Sequence, residues 1–411
     1  MKRILNFTFF FLSSLSLIYF VYKSEFIYSG TKRWYYFFDF ILFGSILLFS
    51  ISYFIFSKKI KNYIIICLST FILSIYLFEF FLVLSSNNFQ TRYEYFKQEL
   101  KRNENIKLGY GSNEFYNKDE IDLLPLSGIS NSKTIMCNES GYFSEYESDR
   151  YGFNNPDVEW NKNNYKYLLL GDSFVHGACV NRPDDIASNL RLLSEEGVLN
   201  LGYGGQGTLS KYATLKEYFP GNVDTILWFF FERNDIADLK IEIKNKILFN
   251  YLEEDNFNQN LIYHQNYIDE IKNDHLKNIK PKKRRSEFKN IILLFNFRYL
   301  IKNIFFWEKE KVIDEFELII KKVKKFSDRN SSRLIFIYLP EYLRFVSPNF
   351  DNGKYKEIKN IIEKNNIEFL DIIELFEETN DPLNFFPLRK SGHYNELGYK
   401  RIAEFILLNK L

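Results

Sequence analysis

Ser173 is the residue in this chain whose surroundings most invite chemistry. It stands in Tyr167-Leu-Leu-Leu-Gly-Asp-Ser-Phe174, an apolar run cut off abruptly by Gly171, Asp172 and Ser173. An apolar run bounded by glycine reads as a buried parallel strand. In an open α/β sheet, ligands bind just beyond the carboxyl ends of such strands. A serine there sits at the mouth of the sheet, close to a helix start, where a nucleophile would be placed. Cleavage or transfer of an acyl group is the chemistry this suggests. Gly-Asp-Ser alone is weak, because the same three residues turn a chain or cap a helix.

Its weight comes from the order of the segments downstream. Val198-Leu-Asn-Leu-Gly-Tyr-Gly-Gly-Gln-Gly207 reads as a second strand running into a glycine-rich loop. Thr225–Phe231 reads as a third, ending in Glu232-Arg233-Asn234-Asp235. Near the C-terminus, Lys390-Ser-Gly-His393-Tyr-Asn precedes a helical pattern over Glu396–Leu408. The four blocks resemble the SGNH/GDSL hydrolase superfamily, which supplies Ser, Gly, Asn and His in this chain order. The resemblance spans roughly Tyr165 to Leu411, with a large insertion between the third and fourth blocks.

The resemblance implies a role for each block. Ser173 would be the nucleophile, whose weakly acidic hydroxyl needs a base. His393 would be that base, with an ordinary pKa near ~6.5 that suits proton exchange around neutrality. The oxyanion would meet the backbone N–H groups of Ser173 and Gly205 and the side-chain amide of Asn234. Each such donor is worth about 3 kcal/mol of barrier, and a glycine at 205 would let substrate approach the backbone. Asp172, His176 and Asp235 are pocket candidates, His176 being placed on the first turn of the following helix as a lining residue instead of the base.

Two departures from the family pattern stand out. The acid usual three residues before the histidine is replaced by Lys390. A Ser-His dyad is therefore the reading, and the imidazole's orienting partner stays open among a backbone carbonyl, Ser391, Asp381 and Glu396. Glu232-Arg233 also stand where a glycine-containing lead is usual, which bears on the loop's shape. Bland alternatives run alongside: Ser173 as a turn residue, His393 as a helix-entry residue, and Asn234-Asp235 as a helix cap. Gly202, Gly204 and Gly207 read as loop geometry, with no dinucleotide fingerprint.

Elements must hold these residues. Ile335–Leu339 and Ile367–Ile372 supply two more strands, separated by a helix over Lys354–Asn365. The expected fold is α/β, a flavodoxin-like three-layer α/β/α sandwich of about five parallel strands. Three transmembrane helices are expected to precede it. Residues 1–85 form the anchor and 86–164 a linker and N-terminal extension. Arg92–Asn103 reads there as an amphipathic helix, and Ser148–Asn155 as a turn with an aromatic anchor. The hydrolase-like part takes 165–411, with a helical insertion at about 240–328. Within it, Lys280-Pro-Lys-Lys-Arg-Arg285 lies beside an aromatic stretch from Phe288 to Trp307. That stretch suits either anionic lipid headgroups or a helical cap over the sheet.

The anchor rests on apolar segments at about Ile4–Tyr22, Trp34–Phe56 and Tyr63–Leu84, each near the ~20 residues that cross a bilayer. No small-residue cleavage pattern follows the first, so it reads as retained. Lys2, Arg3, Lys58, Lys59 and Lys61 inside, with Lys23, Lys32 and Arg33 outside, put the catalytic part beyond the cytoplasmic membrane. Asp39 and Glu79 interrupt two segments. They read as snorkelling or pairing with Lys32 or Arg33, with a proton or substrate contact as the functional alternative. Eight Lys/Arg against three Asp/Glu in the first 90 residues leave the rest at −3 of a net +2. A slightly acidic soluble part argues against nucleic acid as partner.

Cys137 and Cys179 are the two cysteines outside the apolar segments. A disulfide between them would close a loop worth roughly 4 kcal/mol and require an oxidising compartment; two buried thiols are the alternative. Cys67 reads as a small apolar residue. No ligand-spaced cluster calls for a metal, and no cofactor is called for. The chain thus reads as a membrane-anchored serine esterase on the periplasmic or extracellular side, acting on O-acyl esters of envelope or lipid-linked glycans. An O-acyltransferase, or a silent glycan-binding protein of the same fold, stays beside it.

Overall fold

A computed structural model describes residues 2–28, 30, 32–85, 91–117, 121–279, 291–305, 311–347 and 350–409. The chain divides into two compact units, one of residues 1–89 with 281–308, the other of 90–280 with 309–411.

In the first unit, helices span Lys2–Val21, Arg33–Ile55 and Lys58–Ser85, and a fourth covers Phe295–Phe305. Many of their large apolar side chains face outward: Ile18 is 66% exposed, Leu48 68% and Phe81 61%. Polar groups are buried instead, Glu79 completely. Apolar-out packing suits a hydrocarbon surround. Among the described residues, two helical stretches are long and apolar enough to cross a membrane, Phe10–Ile27 and Tyr35–Ser52. That corrects the expected three. The third helix is long, Lys58–Ser85, but among the described residues its apolar stretch is the shorter Ser69–Leu84.

The partners of Asp39 and Glu79 also differ from expectation. Asp39 takes both guanidinium Nη atoms of Arg298 at 2.8 Å, and Arg33 pairs with Glu25. Glu79 accepts the backbone N–H groups of Asn296 (3.0 Å) and Phe297 (2.7 Å). A carboxylate at a helix N-terminus satisfies orphan donors and complements the dipole. Phe295–Phe305 therefore packs on the N-terminal helices and belongs to their unit, not to a cap over the sheet. Lys280–Arg285 lies outside the described residues.

In the second unit, residues 91–164 are no passive linker. They hold a small sheet of β1 (Ile106–Leu108), β2 (Lys133–Ile135) and β3 (Glu145–Glu147), with β1 parallel and β3 antiparallel to β2. Phe115, Leu124, Leu126 and Phe153 from this stretch are fully buried in the core of a second, larger sheet.

The strands of that sheet are β4 (Tyr165–Leu170), β5 (Val198–Asn200), β6 (Val223–Phe231), β7 (Arg333–Leu339) and β8 (Glu368–Asp371). The order is β5-β4-β6-β7-β8, every pair parallel, which is the flavodoxin-like order. Alternating residues feed two cores. Leu168, Leu170, Ile226, Trp228, Phe230 and Phe336 meet the helices Thr208–Tyr218, Asp314–Arg329 and Gly353–Lys364. Leu169, Leu227, Phe229, Ile335 and Ile337 meet Ile186–Ser194, Ile372–Glu377 and Glu396–Leu408. With both faces covered, the strands carry nearly continuous apolar runs.

Candidate active site

Strands β5, β4 and β6 are neighbours, so the segments leaving their carboxyl ends gather at one edge of the sheet. From β4 comes Ser173. Behind it the chain forms a run of turns, not the expected helix. His176 N–H bonds to Asp172 O, but Gly177 and Cys179 adopt positive φ and end the turn, and the first helix waits until Ile186. Asn154, Asn200 and Tyr399 hold this stretch by donating to the carbonyls of His176, Val175 and Ala178.

Ser173 Oγ lies 2.8 Å from His393 Nε2. On the ring's other side, Glu139 Oε1 is 3.0 Å from Nδ1, and Oε2 accepts the His393 backbone N–H at 2.6 Å. Since a carboxylate only accepts, the ring proton belongs on Nδ1, leaving Nε2 to receive the serine proton. Phe174 packs on the imidazole with ring centroids 4.8 Å apart. Burial pushes the Glu139 carboxyl up, but its contacts with His393 outweigh this and bring it below the usual value. Gly392 makes room, for a Cβ there would run into Glu139 Oε2.

None of the expected orienting groups plays that part. Asp381 pairs with Arg389, Glu396 accepts from Tyr142, and Glu139 comes from the hairpin between β2 and β3, 254 residues away in sequence. The sequence does carry a signal for it. Cys137 and Cys179 form a disulfide with Cα atoms 4.9 Å apart. Cys137 is two residues before Glu139 and Cys179 six after Ser173. The two sulfurs and His393 bring ligand atoms within 4.8 Å of one another, but sulfurs bonded to each other offer no thiolate to a metal.

Gly205 has φ +74°, and a Cβ there would meet Asn113 Oδ1 at 2.5 Å. Its glycine serves the turn and Asn113, while the glycine facing the serine is Gly204, where a Cβ would be 3.9 Å from Ser173 Cβ. The Gly204 N–H is engaged, donating to His176 Nδ1 at 3.3 Å. Asn234 Nδ2 donates to Asp238 Oδ2 at 2.9 Å, with its second N–H left for other use, and makes no side-chain cap.

Asp172, His176 and Asp235 are all buried. Asp172 Oδ1 accepts from the Phe174 N–H. His176 lies between Tyr146 and Tyr203. Burial, helped by the nearby Lys272 charge, lowers its pKa to about 3, so it is neutral near pH 7 and unsuited to serve as base. Asp235 is ion-paired with the equally buried Lys211, which also donates to Phe229 O. Glu232 turns inward to Arg344 and Tyr338, which fixes the loop before Asn234.

No protein-family model and no curated protein matches the chain. Among solved structures it is similar to a G-D-S-L-family protein from Desulfitobacterium hafniense DCB-2, at 15% identity over 59% of this chain and 98% of that one, TM-score 0.35. It is also similar to the lipase/acylhydrolase from Enterococcus faecalis (13%; 60% and 94%; TM-score 0.33). A third is the psychrotrophic esterase EstA from Pseudoalteromonas sp. (12%; 60% and 98%; TM-score 0.28). These likenesses are distant and carry no argument about activity, which has to rest on the geometry of the site.

Proposed function

We propose that this protein is a membrane-anchored serine esterase or O-acyltransferase that works through an acyl-enzyme. The observation that carries the proposal is the relay of hydrogen bonds from Ser173 Oγ through the His393 ring to Glu139. Ser173 attacks the acyl carbonyl as its proton passes to Nε2, and Glu139 stabilises the imidazolium. With the N–H of the serine-facing Gly204 taken by His176, the Ser173 N–H, the N–H of the next residue, Gly205, and the second N–H of the Asn234 amide are the donors for the oxyanion. His393 then returns the proton to the leaving alkoxide, and water or a sugar hydroxyl attacks the acyl-serine.

A silent binding protein suits a His393 that lacks an acid. With Glu139 against Nδ1, the enzyme is the better reading. O-acyl esters of envelope or lipid-linked glycans remain the proposed substrates, supported by the apolar anchor and by a disulfide that suits an oxidising compartment. The test is fluorophosphonate labelling of the full chain in detergent. Labelling of the wild type, abolished in Ser173→Ala, is expected; an unlabelled but folded wild type overturns the proposal.

A further inference from the structure

We infer that the Cys137–Cys179 disulfide is a positioning element for the site, holding the Glu139 carboxylate in register with His393. The inference rests on the Ser173–His393–Glu139 reading. Glu139 stands on the turn that joins β2 to β3. That turn is closed at its base by Met136 N–H to Ser144 O (2.8 Å) and Ser144 N–H to Cys137 O (2.9 Å). Besides the relay, hydrogen bonds tie the hairpin to the segments that carry the serine and the histidine. Tyr142 donates to Glu396 at 2.6 Å, Glu145 N–H donates to Asn181 Oδ1 at 2.9 Å, and Arg182 donates to Glu147 O at 2.9 Å. The covalent link is the disulfide.

Its location is what gives it this role. Cys179 Sγ lies 3.5 Å from His393 Nδ1, on the edge of the ring that faces Glu139. The bond therefore joins the turn bearing the acid to the turns bearing the nucleophile, beside the base itself. An acid supplied from a separate hairpin is easily misplaced, and a misplacement of about 1 Å can cost roughly 10²-fold in rate. In this chain the disulfide limits that freedom, standing in for the short sequence spacing that would otherwise fix an acid near His393.

The experiment uses the full chain in detergent, with p-nitrophenyl acetate as probe. The wild type, oxidised or reduced by dithiothreitol, is compared with Cys137→Ala/Cys179→Ala, with and without Glu139→Gln. Reduction passes two electrons and two protons to the sulfur pair, giving two thiols while dithiothreitol closes to its cyclic disulfide. Expected on loss of the bond is a fall in kcat of about 10²-fold with KM within about twofold. Glu139→Gln should add little further loss in the bond-free background, because both changes act through one contact. The low-field proton signal of the hydrogen-bonded His393 Nδ1 should vanish on reduction and return on reoxidation.

Unchanged kcat and an unchanged proton signal in the reduced protein would overturn the inference, as would losses that multiply. If the double alanine variant fails to fold, the reversibly reduced wild type gives the same comparison. A wild type without turnover, whose proton signal still responds to reduction, would sink the hydrolase reading and leave the positioning role intact. An active wild type indifferent to reduction would do the reverse.

Discussion

At the scale of single residues, the site sorts its two histidines by surroundings. His393 is part-exposed between a hydroxyl and a carboxylate, whereas His176 is sealed among tyrosines. In Glu139→Gln the amide can turn its N–H toward Nδ1 and favour the wrong tautomer, so kcat should fall roughly 10²–10⁴-fold with KM nearly unchanged. Gly392→Ala should give a similar loss, because its methyl group would displace the carboxylate; steady-state kinetics on both variants checks this. His176→Gln keeps an acceptor for the Gly204 N–H and should leave the acid limb of the pH–rate profile where it is. A limb that moves with this substitution would reassign the base. Stability carries a separate signature. Unfolded His176 takes up a proton below about 6.5, while the folded residue stays neutral down to about 3. The unfolded state thus gains as pH falls between those values. His176→Gln should flatten the decline of melting temperature over that range.

At the scale of elements, what the sequence makes legible depends on how locally each structure is specified. Strands β4, β6 and β7 are apolar runs buried on both faces, and Glu396–Leu408 is helical over the expected residues, capped by the Asn395 side chain. Glu139 is hidden because a hairpin and a long chain separation lie between it and His393, although the cysteines on either side of the site point to that hairpin. Phe295–Phe305 is hidden for a related reason. Amphipathicity shows that a helix has a partner and not which one. Two buried acids in apolar helices demand a cation or free N–H groups, and Lys32 and Arg33 stand nearer in sequence than Arg298 or the Asn296 and Phe297 N–H groups that meet the need. Asp39 and Arg298 are 8% and 6% exposed, so removing one leaves a buried charge alone, at a cost of about 3–5 kcal/mol. Asp39→Ala should therefore loosen the helix from its neighbours and raise proteolysis between Lys280 and Glu308 in detergent. Exchanging the two charges, Asp39→Arg with Arg298→Asp, should recover part of the protection. Equal cleavage in wild type and Asp39→Ala would show that the pair does not hold the segment.

At the scale of the whole molecule, the open matter is the compartment. Three crossings would have carried the catalytic unit to the side opposite the N-terminus. With two helices meeting the requirement for length and apolarity among the described residues, that parity argument falls away. The cysteines offer the test instead, since structural disulfides persist mainly where the surroundings are oxidising. The chain provides its own control in Cys67, its one free cysteine out of three. Protein taken from cells directly into denaturant and alkylating reagent should gain one alkyl group per chain, and three after reduction. A charged fluorophosphonate that cannot cross the membrane should label Ser173 in intact spheroplasts as fully as in lysate. Three alkyl groups without reduction, together with labelling only after lysis, would put the catalytic unit in the cytoplasm. Neither result alone suffices, because a thiol can oxidise during preparation and a serine can be shielded by neighbours. Together they separate a reduced interior from an oxidised exterior, since no single artefact yields both.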